Sequence, residues 1–291
     1  MTQHTDRYKK IKWTLIWLLF ANISVCLAKG IVGYLTGSLG MVADAFHSLT
    51  DSSNNIVGLI AMKMADRPAD EDHPYGHGKF ETLATIAISG MLLIAAYNIV
   101  KGAIDRFGSH QTPKVGVSSF VVMAVTIGIN IAVATYEYRA GKKLGSDFLI
   151  ADSLHTRSDI FVSLSVIASL IIIKLGYPIF DPIISLVIGV FIAKAGWDII
   201  KRSSQTLTDK MVLDPAIIEN VVLGIRGVKE CHSIRTRGMS GTVYVDLHAL
   251  VDPDMHTEMA HALATEIEES VKKKIDGVVD VVVHIEPFGE H

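Results

Sequence analysis

The stretch ADAFHSLTD, residues 43–51, lies inside a run apolar enough to cross a bilayer and yet carries Asp44, His47 and Asp51. An ionisable side chain at the centre of a bilayer costs roughly 2.5–3.5 kcal/mol on insertion scales, so it survives mainly where a partner or a function compensates. His47 and Asp51 stand four apart, which puts them on one helical face with about 5–6 Å between Cβ atoms. The pattern recurs in ADSLHTRSD, residues 151–159, as His155 and Asp159. Two such helices side by side present two imidazoles and two carboxylates. Four N/O ligands suit a tetrahedral divalent cation, zinc above all, and suit magnesium or calcium poorly, because those take all-oxygen shells of six or more.

Around these segments the chain reads as a membrane protein. Hydrophobic residues make up 49% of its 291 residues and the mean hydropathy is +0.38, more apolar than an ordinary soluble domain. Six runs approach the ~20 residues a span requires: 12–35, 39–64, 81–104, 115–138, 147–175 and 178–200. The first is too long for a signal-peptide core and no small-residue cleavage site closes it, so it is expected to stay as helix one. Lysine and arginine placement gives the orientation. Arg7, Lys9, Lys10 and Lys12 precede run one, Lys63, Arg67 and Lys79 flank the second connection, Arg139, Lys142 and Lys143 the fourth, and Lys201 and Arg202 follow run six. Both termini are therefore expected in the cytoplasm, the chain lying in the plasma (inner) membrane.

From about residue 206 the composition becomes that of a small soluble domain. DPAIIENVVLGI (214–225) opens with Asp214 as N-cap and Pro215 at the first helical position, and KECHSIRTRG (229–238) and TVYVDLHALVD (242–252) alternate as strands around GMSG. HTEMAHALATEIEESVKKKI (256–275) is an amphipathic helix, and VVDVVVHIEP (278–287) a last strand closed by proline. The expected order is αββαβ, an α/β sandwich of ferredoxin or metallochaperone type. Between 206 and 291 eight Lys and Arg stand against fifteen Asp and Glu, a balance of −7 where the whole chain has −3. Such a module attracts cations and argues against nucleic acid as a partner.

His232, His248, His261 and His284 lie on or beside these elements, and Glu286 shares a strand face with His284. Another constellation occupies RPADEDHPYGHGKFE (67–81), where Asp70, His73 and His77 can gather around a cation in a loop shaped by Pro68, Pro74 and glycines. Cys26 and Cys231 make no disulfide framework and no CxxC motif. Cys26 reads as an apolar filler, and Cys231 points away from His232 if the strand is regular. Asp44 and Asp152, three residues before each site histidine, read as structural or outer partners. Asn22, Asn54, Asn55 and Asn130 are expected to hydrogen bond between helices, and Arg157 to reach an interface or a carboxylate.

Six spans, HxxxD in helices two and five, DHPYGHGKFE after helix two and a histidine-bearing αββαβ domain together resemble the cation diffusion facilitators, over nearly the whole chain. The resemblance implies a homodimer in the lipid bilayer, with a six-helix transmembrane domain (1–205) and a cytoplasmic metal-binding and dimerisation domain (206–291). It implies a transport site at His47, Asp51, His155 and Asp159, a loop site at Asp70, His73 and His77, and a cytoplasmic cluster of His232, His248, His261, His284 and Glu286, the last an Asp in some members. Lys79 would pair with Asp209. The chain is expected to export zinc in exchange for protons by alternating access, with zinc also bound at the cytoplasmic sites as a regulator. Iron, cobalt, cadmium and nickel stay open as the ion, and a non-transporting metal-binding scaffold or sensor is the alternative. A membrane metalloenzyme is not expected, because four protein ligands leave no open coordination position and no HExxH motif occurs.

Overall fold

Hydropathy locates the lipid-facing part of a helix, but caps set its ends. The computed structural model describes residues 2–36, 52, 54–107, 117–174, 180–239 and 241–289. Its first unit, Met1–Ser203, contains α1 (Thr2–Thr36), α2 (54–65), α3 (Lys79–Phe107), α4 (Val117–Leu144), α5 (Asp147–Lys174) and most of α6 (Phe180–Leu207). α1 begins well before residue 12, α4 continues past 138 and α6 past 200. At the α4–α5 turn the cause is visible. Gly145 is left-handed (φ 61) and Ser146 N–H donates to Gly141 O at 2.9 Å, a Schellman closure of α4. Ser146 Oγ accepts from Leu149 N–H at 3.4 Å and so caps α5.

That turn is also held from outside. Arg7 donates to Leu144 O and Gly145 O, both at 2.7 Å, and its fork pairs with Glu81 at 2.9 Å. Ser146 Oγ donates to Glu81 Oε1 at 2.6 Å. One largely buried ion pair, side chains 16% and 4% exposed, thereby ties α1, α3 and the α4–α5 turn together.

The helical unit is inverted relative to a soluble protein. Trp17 and Phe191 are 67% and 68% exposed while Thr85, Ser89 and Ser153 are buried, a distribution that is favourable when lipid is the solvent. Among the described residues three helices, over Asp6–Ala28, Lys79–Asp105 and Pro182–Leu207, are long and apolar enough to cross a membrane. α2 approaches α5 at Gly58, where a Cβ would strike the Phe148 ring. Arg157 uses the α4–α5 interface, its guanidinium 4.6 Å over the Tyr138 ring. Two of the four asparagines differ from expectation: Asn54 Nδ2 and both polar atoms of Asn55 have no hydrogen-bond partner among the described residues.

The second unit, Ser204–His291, has the order α7 (Pro215–Leu223), β1 (Glu230–Met239), β2 (Thr242–Val251), α8 (Thr257–Lys274) and β3 (Val278–Pro287). The sheet runs β1-β2-β3, with β1 antiparallel to β2 and β2 parallel to β3; α8 supplies the crossover that a parallel pair requires. Val243, Val245, Leu247, Ala249 and Val251 turn to one face and pack with Ile218 and Val222 of α7 and Leu263, Ile267 and Val271 of α8. The alternating residues form the opposite face. β1 is not regular. His232 pairs with His248 but Arg235 with Asp246, so one extra residue bulges there, with Ser233 at φ 52. The bulge lets Cys231 and Thr236 both turn into the core.

Candidate metal centres

The loop between α2 and α3 gathers the first cluster. Asp70 Oδ1 accepts from His73 N–H at 2.7 Å, an Asx-type turn, and Gly76 (φ 81) reverses the chain. Asp70 Oδ1 then lies 3.4 Å from His73 Nδ1 and Oδ2 3.3 Å from His77 Nε2. The two imidazoles are 4.3 Å apart, and Phe80 stacks against His77 at 5.8 Å. His77 Nδ1 faces Pro68 O at 3.1 Å; a carbonyl only accepts, so Nδ1 carries the proton and Nε2 keeps its lone pair for a ligand. Zinc bonds of 2.0–2.1 Å imply tetrahedral edges of about 3.3–3.4 Å; each histidine nitrogen lies near that distance from one Asp70 oxygen, His73 from Oδ1 and His77 from Oδ2. The His73 N–H also holds the Asp70 carboxyl below the ordinary carboxylate range.

In the C-terminal unit strand register does the assembling. His232 stands opposite His248 and His248 opposite His284, so one histidine from each strand meets in a row on the face turned away from the helices. Neighbouring rings are 5.3 and 4.8 Å apart. Glu286 reaches back along β3, with Oε2 3.1 Å from His232 Nε2 and Oε1 2.8 Å from His248 Nδ1 and 3.5 Å from His284 Nε2. Ser233 of the bulge places its Oγ 3.0 Å from His232 Nδ1. Three imidazoles around one carboxylate are an N/O set suited to zinc-like ions. Both oxygens are engaged, so the carboxylate can hold one ion or bridge two. Cys231 has no place in this row: it is a core residue on the opposite face, and burial pushes its thiol up to about 11. His261 is exposed on α8, whose apolar side packs against the other face of the sheet, and the row forms without it.

On α5, His155 is 8% exposed and Asp159 follows one turn later, with Asp152 also buried. His47, Asp51 and Asp44 lie outside the described residues. Sequence reading passes over Glu137, a carboxylate 1% exposed on α4 that accepts from Thr156 Oγ1, beside His155, at 3.0 Å. The signal for it is an acidic residue within the 115–138 run.

Residues 15–208 match the family profile described as the cation efflux transmembrane domain, and residues 213–288 that described as the cation efflux protein, cytoplasmic domain. The chain belongs to the cation diffusion facilitator family. Metal tolerance protein C1 of Arabidopsis thaliana is 34% identical over 92% of this chain, which spans 61% of that relative's length. The manganese efflux system protein MneS of Bacillus subtilis is 29% identical, covering 97% of this chain and 98% of its own. The cation-efflux pump FieF of Serratia proteamaculans is 30% identical, covering 90% and 87%. As a cation diffusion facilitator the chain is a divalent cation efflux transporter rather than an enzyme, a multi-pass membrane protein with a cytoplasmic C-terminal domain.

Proposed function

We propose that this cation diffusion facilitator exports zinc from the cytoplasm in exchange for protons, as a homodimer in the plasma membrane with both termini inside. His47, Asp51, His155 and Asp159 are the transport ligands. The observation that carries this reading is the close approach of α2 to α5 at Gly58 and Phe148. Gly58 is seven residues after Asp51 and Phe148 seven before His155. In a six-span chain helices two and five run in opposite directions, so His155 falls about 10.5 Å from that contact along α5, on the side toward which the sequence of helix two leads back to Asp51.

An imidazole must be neutral to bind a metal, so ion and proton compete for it. Facing the cytoplasm, the site exchanges protons on His47 and His155 for zinc. Facing outward, higher proton activity reverses the exchange and releases the ion. Access alternates as α2 and α5 move against the remaining helices. Two imidazoles in the set favour zinc over the harder manganese ion. The loop cluster and the row of His232, His248, His284 and Glu286 serve as sensors, with His261 joining that row from the second subunit. Bound zinc then favours the dimer form with the higher affinity for it. The test is uptake into proteoliposomes under an imposed pH gradient, across zinc, manganese, iron, cobalt, cadmium and nickel. Zinc is expected to show the highest rate at equal concentration; a flat panel, or manganese first, contradicts the assignment.

A further inference from the structure

Asn55 is 1% exposed on α2, and neither Oδ1 nor Nδ2 has a hydrogen-bond partner among the described residues. Because both ends of the amide lack a partner, exchanging its oxygen and nitrogen would not relieve it. Buried polar groups are ordinarily satisfied, and one that is not calls for an ion, a water or a functional reason. Its position supplies a reason. Asn55 and Gly58 stand three apart and share a helical face, and Gly58 meets Phe148 of α5 and Leu15 of α1, so the amide lies on the face of α2 that packs against its neighbouring helices. Asn55 also follows Asp51 by four residues in sequence, and in the proposed orientation helix two runs toward the cytoplasm.

We propose that Asn55 is a further cation-binding residue of the transporter, whose Oδ1 receives the divalent ion entering from the cytoplasmic side while Nδ2 donates to the ion's hydration water. The role rests on the reading of helices two and five as the transport helices. An amide oxygen is a hard, neutral ligand. It can take an ion without the desolvation that a further buried charge would suffer, and it releases the ion easily. Its missing partner in the fold is the ligand it is kept for.

The test compares Asn55→Leu with Asn55→Ser and with the neighbouring Asn54→Leu, in full-length protein reconstituted into liposomes. Thermal unfolding and the concentration dependence of zinc and manganese uptake are measured for each. Leucine shares the branching of asparagine at Cγ and removes an unsatisfied buried group, so Asn55→Leu should unfold at a higher temperature than the wild type. At the same time the half-saturating ion concentration should rise by about tenfold or more, the scale seen when a group supporting a metal is lost. Asn55→Ser, which keeps an oxygen, should recover part of that loss, and Asn54→Leu should leave the half-saturating concentration unchanged. Wild-type ion dependence in Asn55→Leu overturns the proposal, as does an equal loss in Asn54→Leu. Wild-type protein that moves no divalent ion would instead remove the transport reading beneath it.

Discussion

His248 on β2 stands directly opposite His284 on β3, their rings 4.8 Å apart, with Glu286 Oε1 within 3.5 Å of a nitrogen on each. Parallel pairing of β2 and β3 makes this contact, and α8 is the crossover that permits it. The chemistry of the row therefore depends on the fold of the whole C-terminal unit.

Binding of zinc to that row should stabilise the unit by linkage. At one hundred times its dissociation constant a ligand specific for the folded state contributes about 2.7 kcal/mol. Thermal unfolding with and without zinc should show an upward shift in the wild type and a much smaller one in His248→Ala combined with His284→Ala. The same double variant should lose zinc sensitivity of transport while retaining part of the rate.

Asp70 gives a pH signature for the loop cluster. Its folded carboxyl is held below the ordinary value of about 3.9. Its contribution to folding is thus fully present above that value and is lost only as pH falls through the lower, folded one. Between pH 7 and pH 5 Asp70 stays ionised. Asp70→Asn should therefore weaken metal binding at the loop by at least about tenfold, by a similar factor at both pH values. No loss at either pH would remove Asp70 from the loop site.

Cys231 provides a control. Its thiol is pushed up to about 11 by burial, so the protonated form is held by the fold. Stability from this group is complete below the unfolded value of about 8.5 and declines as pH rises toward 11. At neutral pH iodoacetamide should label Cys231 only in denaturant, followed by mass spectrometry, and Cys231→Ala should leave the zinc response unchanged.

Arg7 and Glu81 are separated by 74 residues in sequence and joined at 2.9 Å. Removing one partner of a buried pair leaves the other charge uncompensated and costs about 3–5 kcal/mol. Glu81→Gln should therefore lower the unfolding temperature of the helical unit, and Arg7→Met with Glu81→Leu should recover much of that loss.

These residues also mark what is legible in the sequence. The HxxxD pairs, the loop triad and the strand histidines announce themselves through spacing, because helices and strands have fixed periods. For the same reason the alternation of β2 puts His248 on the face opposite Leu247 and Ala249. Periodicity does not reveal the bulge at Ser233, which depends on one residue adopting φ 52 and alters the inward face of β1 from Cys231 to Thr236. It does not reveal the Arg7–Glu81 pair either, since long-range ion pairs leave no local pattern. Hydropathy marks the apolar spans but not where α1, α4 and α6 run on beyond them; at α4 the end is set by the Gly145–Ser146 turn. The unsatisfied amide of Asn55 is a property of side-chain packing and has no sequence signature.

Metal selectivity should follow the imidazole content of the transport set. His47→Asp exchanges one nitrogen ligand for a carboxylate and should relax zinc preference toward harder or larger ions such as manganese or cadmium. Relative uptake rates across the metal panel measure this directly, and unchanged ratios would remove His47 from the selectivity site.

The coupling of zinc to protons is tested most directly by recording lumenal pH and zinc together in proteoliposomes containing the full-length protein. Zinc entry into the lumen should be accompanied by proton exit in a fixed ratio, and His47→Asn with His155→Asn should abolish the proton flux while the aspartates retain weak metal binding. Zinc movement in the wild type that leaves lumenal pH unchanged, after correction for buffering and leak, would make the chain a uniporter and contradict the exchange mechanism.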